Sequence, residues 1–155
     1  PGIKRRFFRA FCANPVSRGD YMEHNGFQQY KEQSVNTMTQ GELLLLLYDE
    51  LVKHLVRCEL ALKQENFELL EASADKGMDI IQYLDDTLDR QYPIAGDLHR
   101  LYDYFSYQLG RVKIGRNKDV LEEIKPMILE LRESFRTADK NCAEQAQPQP
   151  QKQES

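Results

Sequence analysis

The chain contains no tryptophan, and its three cysteines, Cys12, Cys58 and Cys142, are scattered with no CxxC spacing. An odd, dispersed set does not make the disulfide framework of a small secreted domain, so a reducing, cytoplasmic compartment is the simpler reading. No apolar run approaches the ~20 residues that a membrane span requires. The longest, Leu43 to Tyr48, is six residues and belongs in a protein core. GxxxxGKS/T, GxGxxG, GxSxG and HExxH are all missing, which removes the common routes to nucleotide binding, serine hydrolysis and zinc proteolysis. No alternating apolar pattern bounded by turn signals occurs, so no strand is predicted, and no sequence repeat is visible.

What is present fits one soluble helical domain. The chain has 155 residues, 41% apolar and 30% charged, an ordinary globular balance. Its mean hydropathy of -0.67 owes part of its low value to polar ends. The net charge of -4 is uneven. Residues 1–21 carry Lys4, Arg5, Arg6, Arg9 and Arg18 against Asp20, a local +4 that leaves -8 on the remainder. An acidic body does not favour nucleic acid, because phosphate contacts need a basic surface. The basic start lacks the apolar stretch of a secretory signal. Residues 1–21 read as non-native or upstream sequence with Met22 as the natural start, and residues 1–25 as a leader outside the fold.

Four amphipathic segments follow. Thr39-Gln40-Gly41-Glu42 fits a capping box and opens a first helix over about 40–64, carrying Leu43, Leu44, Leu46, Leu47, Leu51, Leu55 and Leu62. The six-residue apolar run wraps the helix circumference, so this end is buried on most sides or partly covered by a partner. Asn66 caps a second helix whose stripe is Phe67, Leu70, Ala74, Met78, Ile81 and Leu88, ending before Tyr92-Pro93, since the residue before proline is pushed out of helix. Pro93 suits the first turn of a third helix, which carries Ile94, Leu98, Leu101, Tyr102, Phe105, Leu109 and Val112 and stops at Gly115 to Asn117. A fourth runs over about 118–140 with Val120, Leu121, Ile124, Ile128, Leu131 and Phe135. Pro126 inside it predicts a kink. Short connections between such helices predict an all-α, antiparallel, up-down-up-down bundle. The bundle domain is placed at 26–141, with a short amino-terminal segment. The Gln- and Pro-rich tail, 142–155, lacks apolar side chains to offset ordering entropy and is expected to be disordered.

Candidates for chemistry are few. A di-iron bundle needs Glu-x-x-His pairs, and neither His54 nor His99 has Glu three residues earlier. His54 and Cys58 stand one turn apart, but two ligands alone do not hold a metal. His99 and Asp103 read as a surface pair, and Asp85, Asp86 and Asp89 as a solvated face. A histidine phosphotransfer bundle built on His54 is the catalytic alternative, although His54 lies among Leu51, Leu55 and Val56 with no small residue to give access. No catalytic residue, metal or cofactor is assigned.

The useful anomaly is apolar side chains that the core stripes do not use. At about 100° per residue, Tyr107 falls nearly opposite the stripe of the third helix and Tyr104 well to one side. On the second helix Ile80 sits about a quarter-turn from the stripe and Tyr83 further round. Such residues either mark a partner surface or are scattered surface aromatics. Ahead of the first helix, Phe27, Tyr30 and Val35 are spaced among polar residues on a lead too short and polar for a core helix.

These residues also carry a family resemblance. Phe27-Gln-Gln-Tyr30, Ser34-Val35-Asn36-Thr37, Thr39-Gln40-Gly41-Glu42-Leu43 and Leu47-Tyr48-Asp49 are similar to the amino-terminal pattern of the FliS family. Lys76-Gly-Met-Asp-Ile80-Ile81 with Thr87-Leu88-Asp89, then Ile94-Ala95 with Leu98 and Leu101-Tyr102-Asp103-Tyr104, then Leu131-Arg132 with Phe135, resemble its second, third and fourth helices. The likeness covers about residues 26 to 140 in order. The departures are Gln40 where the family usually has Pro, Gly41 where it usually has Glu, Pro126 in the last helix, and Phe135 where Trp is frequent. The resemblance implies a non-enzymatic cytoplasmic chaperone. Such a protein binds the carboxy-terminal helical segment of flagellin, blocks premature polymerisation and delivers it to the flagellar type III export apparatus. It implies flagellin contacts at Phe27, Tyr30, Ile80, Tyr83, Leu84, Tyr104 and Tyr107, with Phe27 and Tyr30 covering part of the surface in the free protein. No nucleic acid or membrane insertion is expected, and pairing into a homodimer is left open.

Overall fold

The first helix begins where its cap forms. The Glu42 amide donates to Thr39 Oγ1 at 3.2 Å and the Thr39 amide donates to Glu42 Oε2 at 3.1 Å, so two otherwise orphaned amides are satisfied reciprocally. The structure, a computed structural model, describes residues 38–146. Its elements are α1 (Gln40–Lys63), α2 (Phe67–Asp86), α3 (Pro93–Gly115) and α4 (Lys118–Gln145). There is no strand among the described residues.

Each boundary has a local cause. Glu65 takes a left-handed φ of 53° at the α1–α2 corner, and Asn66 Oδ1 then accepts from the Leu69 amide at 3.1 Å to cap α2. α2 stops at Asp86, earlier than the Tyr92-Pro93 limit read from sequence. Thr87 turns its hydroxyl back to the Leu84 carbonyl at 3.1 Å, and Asp89 accepts from the Gln91 amide at 3.0 Å. Such local side-chain bonds offer the backbone an alternative to helix. Leu88 therefore sits beyond the helix, yet still packs on the core. Pro93 opens α3 as expected, and Arg116 closes it at φ 52°. The Arg116 guanidinium lies 3.4 Å from the centroid of the Phe67 ring, an attraction that offsets part of the left-handed strain. α4 runs unbroken across Pro126, whose ring is exposed, and continues to Gln145. It thus passes the expected end at 140 and takes in 142–145, which composition alone assigned to a disordered tail.

The helices form an antiparallel four-helix bundle in which α1 packs on α2 and α4, and α3 packs on α2 and α4. Direction follows from the cross-helix pairs. Asp49 meets Arg132 while Glu59 meets Lys125, and Asp75 meets Lys113 while Asp85 meets His99. In both seams one chain number rises as the other falls. Tyr48, Leu51, Leu55, Leu70, Ile81, Phe105, Leu109, Leu121, Ile124 and Ile128 are sealed from solvent, each such side chain contributing about 1.5–3 kcal/mol by burial. Gly77 brings α2 close to its neighbours, because a Cβ there would meet Leu109 Cδ2 at 2.8 Å. Of the apolar run in α1, Leu43, Leu47 and Tyr48 are buried and Leu44 to Leu46 half-buried. No helix among the described residues is long and apolar enough to cross a membrane. Cys58 is free and buried. Cys142 lies in the last turns of α4, and Cys12 lies outside the described residues.

Candidate functional site

Surplus apolar side chains gather on two helices, and the ion pairs of the α2–α3 seam show which way each one faces. Lys113 Nζ donates to Asp75 Oδ1 at 2.7 Å, and His99 Nδ1 lies 2.6 Å from Asp85 Oδ1. Asp75 and Asp85 therefore mark the flank of α2 turned to α3. Ile80 stands about 140° round the helix from both acids, and Tyr83 about 80° from Asp75 and about 160° from Asp85, so both lie on the side of α2 turned away from α3. Both are half-buried and pack against the core. Leu84 is different. It is 1% exposed and belongs to the core, so it is not one of the outward side chains. Its place in the α2 stripe, one turn from Ile81 and Leu88, could have said so.

On α3 the divergence is in the other direction. Tyr104 is half-buried at the α4 flank, where its hydroxyl donates to Glu123 Oε1 at 3.2 Å and accepts from Gln108 Nε2 at 3.1 Å. Its ring also packs at 5.9 Å from that of Phe105. Tyr107 faces straight out and is 68% exposed. Ile80 and Tyr83 thus lie on one side of the α2–α3 surface and Tyr104 on the other, with Tyr107 beyond the polar seam. They make a broad, discontinuous surface rather than one cluster. Phe27 and Tyr30 lie outside the described residues.

Periodicity could have found one further residue. Ile114, 83% exposed, stands seven positions after Tyr107 and shares its face. Val56 and Leu60 on α1 are also exposed, one turn apart.

The titratable groups are arranged for structure. Asp85, buried on α2, faces His99 Nδ1, while Asp103 faces His99 Nε2 at 3.3 Å. The His99–Asp103 pair read from sequence therefore gains a buried carboxylate from the neighbouring helix. One ligand atom from each of the three residues lies within 4.8 Å of the others, the spacing of a hydrogen-bonded clamp between helices. His54 is buried, so it does not present the exposed imidazole that phosphotransfer needs. Burial pushes the neighbouring Cys58 thiol up to about 11, aided by the Glu59 charge, which keeps it a poor nucleophile.

A family model described as "Flagellar protein FliS" matches residues 23–142, which spans all four helices except the last turn of α4. A curated relative, the flagellar secretion chaperone FliS of Bacillus subtilis (strain 168), is 29% identical over 114 residues, covering 74% of this chain and 86% of its own length. With the match extending over the whole bundle core, the chain belongs to the FliS family.

Proposed function

We propose that this protein is a cytoplasmic chaperone of flagellar export. It binds the carboxy-terminal helical segment of flagellin, prevents premature polymerisation and delivers the subunit to the flagellar type III export apparatus. The family match across the bundle carries this reading, and the secretion-chaperone relative supports it. The geometry is compatible with it. Helix-in-groove recognition needs apolar side chains outside the core, and Ile80, Tyr83, Tyr104 and Tyr107 supply them along α2 and α3. Phe27 and Tyr30, by family likeness, cover part of this surface in the free protein. A ligand that spans both flanks must be extended and wrap the bundle, because Ile80 and Tyr104 lie on opposite sides of the α2–α3 seam.

The test is titration of the purified protein with the cognate flagellin carboxy-terminal segment. A stoichiometric complex is expected. Ile80→Asp and Tyr104→Asp should weaken it while circular dichroism stays helical. Absence of binding by the wild type overturns the reading. Unchanged binding by both variants overturns this placement of the surface.

A further inference from the structure

His99 stands between two carboxylates, one at each ring nitrogen. Nδ1 lies 2.6 Å from Asp85 Oδ1 on α2, and Nε2 lies 3.3 Å from Asp103 Oδ2, one turn further along α3. A neutral imidazole has a single N–H, so its other nitrogen presents a lone pair. Whichever tautomer forms, one of the two contacts then sets that lone pair against a carboxylate oxygen. Only a cation between them makes such a contact attractive. A second proton on the ring is one such cation, and a metal ion is another. Arg90 does not fill this place, since its Nη2 is 3.7 Å from Asp85 Oδ1 and its side chain is largely exposed.

The donor set and its spacing suit a metal. One ligand atom from each of the three side chains lies within 4.8 Å of the other two. Zinc takes imidazole nitrogen and carboxylate oxygen at about 2.0–2.2 Å, so its ligands stand roughly 3.3–3.6 Å apart around a tetrahedron. Side-chain movements of about 1 Å bring all three atoms to that spacing. Asp85 is buried on α2, and His99 and Asp103 share one face of α3 at i, i+4, so every donor stands on a helix. Among the described residues no other three histidine, cysteine or acidic side chains converge in this way.

We infer that Asp85, His99 and Asp103 bind one zinc ion across the α2–α3 seam, through one ring nitrogen and two carboxylate oxygens, with water in the open position. The ion takes the imidazole in its neutral form, so any proton on the binding nitrogen leaves to solvent. The two carboxylates balance its two positive charges. The imidazole selects zinc over magnesium and calcium, which prefer ligand sets made of oxygen alone. The bound ion joins α2 to α3, so zinc stabilises the bundle. This site does not depend on the export function proposed above.

Calorimetric titration of the chelator-treated full chain with zinc chloride tests this, beside thermal unfolding with and without zinc. One equivalent should bind, and the melting temperature should rise with zinc concentration. His99→Gln and Asp103→Asn should each weaken binding about tenfold or more and remove most of the zinc-dependent rise. Asp103 is exposed, so its variant keeps the fold even where His99→Gln loosens it. Magnesium at the same concentration should neither bind nor raise the melting temperature. Absence of zinc binding by the wild type overturns the proposal, as does wild-type affinity in the Asp103→Asn variant. An equal rise with magnesium also overturns it, because screening of the acidic surface would then account for the effect.

Discussion

The hydroxyls of Tyr48 on α1 and Tyr102 on α3 meet at 2.8 Å inside the bundle, joining helices that are diagonal neighbours. Both residues are buried, and the Tyr48 ring also packs at 5.4 Å from that of Phe135 on α4. These contacts tie three helices together inside the bundle. Removing one hydroxyl leaves the other buried without this partner. Tyr48→Phe or Tyr102→Phe should each cost about 1–3 kcal/mol, and the double variant should cost less than the sum of the two. Urea unfolding of the four proteins measures this, and strict additivity would show that the pair is not coupled.

Alkaline pH should destabilise the fold in a defined window. Burial, then the neighbouring Tyr102, pushes the Tyr48 phenol well up. Burial likewise pushes Tyr102 up to about 12, with Asp85 adding to the rise and the Tyr48 hydrogen bond opposing it. The Cys58 thiol stands at about 11. All three ionise more readily when unfolded, so the unfolded chain loses protons first as pH rises. Stability should be intact below about pH 9 and fall as pH climbs from there toward about 12. Denaturant midpoints taken across that range should drop, with Cys58→Ala removing the earliest part of the fall.

The clamp at the end of the α2–α3 seam should matter for stability unequally along its length. Asp85 is buried and His99 Nδ1 lies 2.6 Å from its carboxylate, whereas Asp103 is exposed. His99→Ala should cost about 1–3 kcal/mol, because the buried Asp85 carboxylate would lose its close partner and keep only Arg90, at 3.7 Å. Asp103→Ala should stay within about 0.5 kcal/mol. Thermal unfolding of the two variants compares them, and equal losses would sink this account.

Leu84 and Tyr107 should separate stability from binding. Leu84→Ala opens a cavity in the core and should cost about 2–5 kcal/mol. Tyr107→Ala removes an exposed ring and should stay within about 0.5 kcal/mol. The same thermal assay reads both, and a large loss for Tyr107→Ala would mean that its ring is part of the packing.

Local pattern determined much about this protein by itself. The Thr39–Glu42 box, Asn66 and Pro93 mark helix starts that depend on side chains within one turn, and the 3.6-residue stripes name the core of each helix. Tyr107 was legible as an outward residue for the same reason. The ends were less so. Thr87 and Asp89 close α2 through bonds of their own, and α4 outlasts its apolar stripe. What periodicity could not decide is which flank of a helix meets which neighbour. Ile80 and Tyr104 looked like one surface on consecutive helices. The Asp75–Lys113, Asp85–His99 and Tyr104–Glu123 contacts put them on opposite sides of the seam. Such pairings depend on the mutual rotation of packed helices, which no single helix encodes. The meeting of Tyr48 with Tyr102, 54 residues apart, was decided there too.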